Sequence, residues 1–179
     1  MGSSKRIAFQ TYSYAEHLFW GASAILPPFL RQLIFRLTFK HLGRGSLIDY
    51  GVYVRYPWKV SIGEGSTLNR GCQLYSSHAV KDAEIVIGKG VAVGPDVKMF
   101  GADHDHRSLE LPDIAGTIRI GDYVWIGGGA IILSGVELGE GCVIGAGSVV
   151  SGNIPAYTVA VGNPARAIKQ RVLADMKSD

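Results

Sequence analysis

The stretch Ile120–Pro155 reads IGDYVW IGGGAI ILSGVE LGEGCV IGAGSV VSGNIP, and it decides the fold because it counts in sixes. Each block opens on an aliphatic residue, in turn Ile120, Ile126, Ile132, Leu138, Ile144 and Val150, and the second position is most often glycine. The fifth position is small or β-branched throughout: Val124, Ala130, Val136, Cys142, Ser148, Ile154. No single α-helix or hairpin sheet keeps such a period. A parallel β-helix does, because each block is one short flat strand plus the bend into the next side. The fifth position and the next first position lie two residues apart on one strand, so alternation sends both the same way. That way is inward, with glycine expected where the chain must bend.

Working back toward the N-terminus, Ile48 and Val54 open two earlier blocks, Ile62, Leu68 and Leu74 three more, and Ile87, Val93 and Met99 a further three. Two extra residues, Val60 and Ser61, interrupt after the first set. Val80 to Val86 and the longer Asp105 to Arg119 are insertions, each following a third block. If three blocks make one triangular coil, every excursion leaves from the same corner. Coils stack at about 4.8 Å, so the inserted loops should lie almost one above the other along a single edge of a prism.

Composition agrees. A chain of 179 residues, 47% apolar and 18% charged, is globular, and 24 glycines against 7 prolines suit a solenoid better than a helical bundle. The net charge of +3 is uneven: residues 1 to 44 carry six Lys/Arg and one Glu, the remainder twelve Lys/Arg and fourteen acids. The repeat body thus gives no electrostatic footprint for nucleic acid. Cys72 and Cys142 both fall at fifth positions, which makes them small core residues rather than a disulfide or metal pair. With no secretory signal, a reducing cytoplasmic setting is expected.

Residues 1–44 do not repeat and form an N-terminal helical segment. Leu18 to Leu30 is an uncharged run of thirteen residues, too short to span a bilayer and broken at Pro27-Pro28. Beyond it Leu30, Leu33, Ile34 and Leu37 keep helical spacing, with Phe29, Phe35 and Phe39 beside them and Arg31, Arg36 and Lys40 supplying charge. Two readings stand: a cap over the first open coil, or a basic amphipathic segment, residues 18–42, lying on the inner face of the cytoplasmic membrane. At the other end, residues 163–179 read as a short C-terminal helix with Asn163 as N-cap, Pro164 as first residue and Ala165, Ile168, Val172 and Met176 on one face. The fold expected is all-β, a parallel β-helix over residues 45–162 between these two helical ends.

Chemistry-bearing side chains gather at Asp103-His104-Asp105-His106, just where the longer insertion leaves, with Asn69 on the coil beneath. A corner histidine can take a proton from a hydroxyl, and a carboxylate beside it can orient its ring. A solvated polar loop is the bland alternative. His104 and His106, two apart, with His78 at the neighbouring insertion, leave a zinc site to be weighed, though the donor framework is loose.

Three motifs carry a family resemblance: Ile118-Arg-Ile-Gly-Asp-Tyr-Val-Trp-Ile-Gly127, Ile144-Gly-Ala-Gly-Ser-Val-Val150 and Val161-Gly-Asn-Pro-Ala-Arg166. Through them residues 62–171 resemble the hexapeptide-repeat acyltransferases, above all the branch of maltose and galactoside O-acetyltransferases and the acetyltransferases of bacterial polysaccharide biosynthesis. The resemblance implies a left-handed coil, against the usual right-handed crossover, and a homotrimer with acetyl coenzyme A (acetyl-CoA) between subunits. It implies His104 as catalytic base and Asn69, Asp103, Asp105 and His106 about a saccharide acceptor. It also implies Trp125, Gly128, Ala146, Ser151, Arg166 and Lys169 along the cofactor, and no metal. The chain departs from the sugar acetyltransferases at Ser76-Ser77, where they carry an acidic pair, at Gly152, where they carry lysine, and in its N-terminal segment. The acceptor is therefore open: a sugar hydroxyl, an antibiotic or an amino sugar. Outside that chemistry stand a zinc hydratase like the γ-type carbonic anhydrases and a noncatalytic scaffold.

Overall fold

The computed structural model describes residues 3–174, with side chains described from Ile7 onward. The chain divides into two compact units, Met1–Thr38 and Phe39–Asp179. In the first, helix α1 (Ser3–Ile25) gives way at Pro27-Pro28 to helix α2 (Pro28–Thr38). A residue before proline avoids helical dihedrals, which stops α1, and proline suits the first helical position, which starts α2. Trp20 and Phe35 bring the two helices together with ring centroids 5.7 Å apart.

The second unit is a parallel β-helix whose strands fall into three stacked sheets. The first face holds His41–Leu42, Val60–Ile62, Ile85–Ile87, Ile118–Ile120 and Glu137–Leu138. The second holds Leu47–Ile48, Thr67–Leu68, Ala92–Val93, Trp125–Ile126, Val143–Ile144 and Thr158–Gly162, and the third Tyr53–Arg55, Gln73–Tyr75, Lys98–Phe100, Ile131–Ile132 and Val149–Val150. Coiling begins earlier than expected. Leu42 already opens a block on the first face, paired in register with Ile62, so the unit starts at Phe39 instead of residue 45.

The inward positions behave as the period demands. First positions from Ile48 to Val150 are buried, as are the fifth positions Val52, Ser66, Cys72, Val97, Val124, Ala130, Val136, Cys142 and Ser148. Cys72 and Cys142 are free thiols inside this core, and burial raises both to about 11. The second-position glycines have a different reason from the one the sequence suggests. A Cβ on Gly63 would lie 2.4 Å from the backbone of Gly88 one coil on, so it is close stacking that excludes a side chain there. The left-handed backbone needed for the bend falls at fourth positions such as Gly129, Gly135 and Gly147, and at Tyr123, whose ring covers Gly90.

Every excursion leaves where the third face turns to the first: the short 3-10 turn Pro57–Lys59, residues 76–84 and residues 101–117. The last folds back as a two-stranded antiparallel hairpin, Ala102–His104 against Asp113–Ala115. The C-terminal helix is corrected. Ala165–Gln170 is a strand that pairs antiparallel with Thr158–Gly162 after a reversal through Gly162, Asn163 and Pro164. An unpaired outer strand offers a row of backbone donors and acceptors, and pairing satisfies them where a helix would leave them exposed. Ile168 and Val172 are exposed rather than packed on the prism, and Met176 lies outside the described residues.

Candidate active site

The hairpin sets His104 directly opposite Asp113 in register. The His104 ring turns its Nδ1 toward the carbonyl oxygen of Leu111 at 3.0 Å and toward Asp113 Oδ1 at 3.3 Å. A carbonyl oxygen can only accept, so the arrangement places the ring proton on Nδ1 and leaves the Nε2 lone pair outward. The side chains are 60% and 66% exposed in the single chain, so the pair orients far more than it stabilises. Asp103 Oδ1 accepts from the His104 backbone N–H at 2.8 Å and fixes the strand end.

Beside this ring lies a cavity of about 390 Å³ lined by Ser77, Phe100, Ala102, Asp103, His104, Asp113, Ile114, Leu133 and Ser134. Its walls come from three successive coils at one corner. Ser77 follows the strand Gln73–Tyr75, Phe100 and the hairpin follow one coil later, and Leu133-Ser134 one coil later again. Phe100 stacks on Tyr75 with centroids 5.3 Å apart, and Ser134 Oγ donates to the Gly101 carbonyl at 3.2 Å, so floor and wall are held from behind.

Of the residues named from the sequence, Asp103 and His104 meet here. Asp105 and His106 are outside the lining. Asp105 is gripped by Arg107, whose Nε and Nη2 each donate to it at 2.8 Å, and this pairing holds its carboxyl below the usual range. Asn69 lies on the edge between the second and third faces, where its Nδ2 donates to the Val93 carbonyl at 2.7 Å and ties two coils. The same edge carries Gly128 and Ala146. A Cβ on Gly128 would come 3.2 Å from the Pro95 carbonyl. Ser151 is exposed at the corner after the last strand of the third face.

Trp125 projects from the second face, 54% exposed. Its outward column runs Leu47, Thr67, Ala92, Trp125, Val143, Val159, without a charge. Arg166 and Lys169 stand exposed on the strand that closes this sheet, opposite Val161 and Val159. Arg171 beside them is engaged in holding the coils: its Nη1 donates to the carbonyls of Tyr123 and Gly141. Among the described residues no group of three or more His, Cys, Asp or Glu is placed to share a metal, and His78 packs beside the Tyr56 ring.

Asp113, Ser134, Leu133 and Phe100 were missed in the sequence as site residues. Asp113 stands nine positions from His104 in a stretch with no period, and only pairing of the insertion upon itself brings the two together.

Comparison with known proteins supplies the lineage. The family model described as bacterial transferase hexapeptide (six repeats) matches residues 117–152. A protein of Escherichia coli (strain K12) named as a colanic acid biosynthesis acetyltransferase, WcaF, is 32% identical over 142 residues, covering 79% of this chain and 75% of that one. A hexapeptide-repeat acetyltransferase of Vibrio cholerae O1 biovar eltor, solved with acetyl-CoA, superposes with a TM-score of 0.76 at 29% identity, over 89% of this chain and 88% of that one. A galactoside acetyltransferase solved with coenzyme A gives 0.79 at 27% identity, over 93% and 87%. With a six-residue period wound into the three stacked faces of a left-handed parallel β-helix, and a 32% identical relative matched over 79% of its length, the chain belongs to the hexapeptide-repeat acetyltransferases.

Proposed function

We propose that the chain transfers an acetyl group from acetyl-CoA to a hydroxyl of a saccharide, with His104 as general base and no covalent enzyme intermediate. The observation that carries this reading is the fixed ring of His104, Nδ1 to the Leu111 carbonyl, beside a cavity of mixed lining. Phe100, Leu133 and Ile114 suit the apolar faces of a sugar ring, while Asp103, Ser77 and Ser134 suit its hydroxyls.

Nε2 takes the proton as the acceptor oxygen attacks the thioester carbonyl, and Asp113 supports the imidazolium that results. The proton then passes to the departing thiolate, so ester and free coenzyme A leave and the ring is restored. Acetyl-CoA supplies the activated acyl group. The uncharged column through Trp125 suits a pantetheine arm, and Arg166 and Lys169 at its end suit phosphates. Those residues, with Asn69, Gly128 and Ala146, lie across the third face from His104. A neighbouring copy that brought its second face to this corner would complete the site, and this division supports a homotrimer with sites between chains. Buried, free cysteines suit the cytoplasm.

The test is acetyl transfer from labelled acetyl-CoA across sugars, nucleotide-linked sugars, amino sugars and antibiotics, with His104→Ala beside the wild type. Saccharide turnover that His104→Ala lowers by roughly 10²- to 10⁴-fold supports the reading. Turnover unaffected by that change, or confined to amines, would overturn it.

A further inference from the structure

The N-terminal unit is amphipathic with the wrong side out for a soluble helix pair. On α1, Ile7, Tyr14, Leu18 and Ile25 are all exposed, and their separations of seven, four and seven residues place them on one stripe. On α2, Phe29, Leu33 and Leu37 repeat every four residues and are exposed too, at 72%, 56% and 79%, with Leu30 beside them. The buried positions are the polar Glu16, Ser23 and Arg31, together with Phe35.

Charge says what such a surface fits. Glu16 is the sole acid among residues 1–44, and it is buried, accepting from the Tyr12 hydroxyl at 2.8 Å. Arg36 is exposed in the last turn of α2, next to Leu37. The exposed side of this unit therefore offers large apolar groups and one described cation, Arg36, with no described acid. A second copy would add another Arg36 and no described acid to meet it. A bilayer with anionic headgroups complements both parts, and no described helix is long and apolar enough to cross one.

We propose that α1 and α2 are an interfacial anchor that lies on an anionic membrane surface, with Ile7, Tyr14, Leu18, Ile25, Phe29, Leu33 and Leu37 entering the headgroup boundary. This inference stands apart from the acetyl-transfer reading, because vesicle partition is measured without turnover.

The experiment is flotation of the full chain with vesicles of phosphatidylcholine and phosphatidylglycerol in roughly equal parts, against pure phosphatidylcholine, at low and high salt. The chain is expected to float with the anionic vesicles at low salt and to be released by added salt. Arg36→Gln should lower partition about fivefold, and Leu33→Gln with Leu37→Gln by more than roughly tenfold. All of these positions are exposed, so circular dichroism and sedimentation should match the wild type. Absence of flotation at low salt, or partition of the double variant equal to wild type, would overturn the anchor. So would a fall in assembled mass of the double variant without any vesicle binding, which would assign the face to a second copy.

Discussion

Asp113→Asn isolates the charge that the hairpin sets against His104. In the proposed transfer the imidazole becomes an imidazolium, and a carboxylate oxygen 3.3 Å from Nδ1 favours that form. Two unit charges at this separation attract by roughly 1 kcal/mol in water and about 5 kcal/mol at an effective dielectric of 20. Both side chains are largely exposed, so the aqueous end applies. About 1 kcal/mol of lost transition-state stabilisation corresponds to a five- to tenfold fall in kcat. The Leu111 carbonyl still holds the tautomer, so the loss should fall well short of that in His104→Ala. The assay is steady-state acetyl transfer at saturating acceptor, with KM for acetyl-CoA unchanged. Added salt should narrow the gap between wild type and variant, since the pair is screened. An Asp113→Asn enzyme as slow as His104→Ala would refute this reasoning, because the carboxylate would then do more than support a charge. A wild-type rate would equally show that the pair is idle.

His106→Ala should leave turnover within about twofold of wild type, since the ring is outside the cavity lining. Trp125→Ala should raise KM for acetyl-CoA by roughly tenfold with little change in kcat, as loss of uniform binding would. At low acetyl-CoA, mixed assemblies of His104→Ala and Trp125→Ala chains should contain sites with the wild-type KM, which neither variant has alone, and their failure to do so would place each site within one chain. Gly63→Ala sets a Cβ 2.4 Å from Gly88 and should cost about 3 kcal/mol, some 6 to 12 °C in thermal midpoint, whereas Gly152→Ala meets nothing within 4 Å and should be neutral. Burial raises Cys72 and Cys142 from 9.0 to about 11, so the folded state keeps protons that the unfolded chain releases. Stability from this source is whole below pH 9 and lost as pH rises through about 11. Cys72→Val with Cys142→Ala, which copies other fifth positions, should flatten that slope in thermal melts.

The prism was readable in the sequence because its rule is local and repeated. Ile62, Leu68 and Leu74 face inward for the same reason as Ile120, Ile126 and Ile132, and the third-block rule alone puts both insertions at one corner. What the period could not say is why Gly63 and Gly121 are glycine. A bend and a close approach leave the same letter, and only the distance to the next coil separates them. The C-terminal strand was unreadable for a related reason. Ala165, Ile168 and Val172 keep helical spacing, but an outer strand with unpaired backbone groups lay beside them, and tertiary pairing overrode the local pattern.

The site was half readable, and the division follows from how it is built. His104 stood out through crowding at a corner, but Asp113 is joined to it by the pairing of an aperiodic insertion. Ser77 and Ser134 line the cavity from coils on either side of the hairpin, because every rung turns at the same edge. Core and chemistry are thereby separated. First and fifth positions hold the stack, while the cavity residues Ser77, His104 and Asp113 stand on excursions from it, and Leu133 and Ser134 at an uninterrupted corner of the next coil. A change at Ser77, on the excursion 76–84, should therefore alter which acceptor is used without altering the coil beneath. The same separation explains why the repeat can carry the family so plainly while the acceptor has to be read from the walls of one corner.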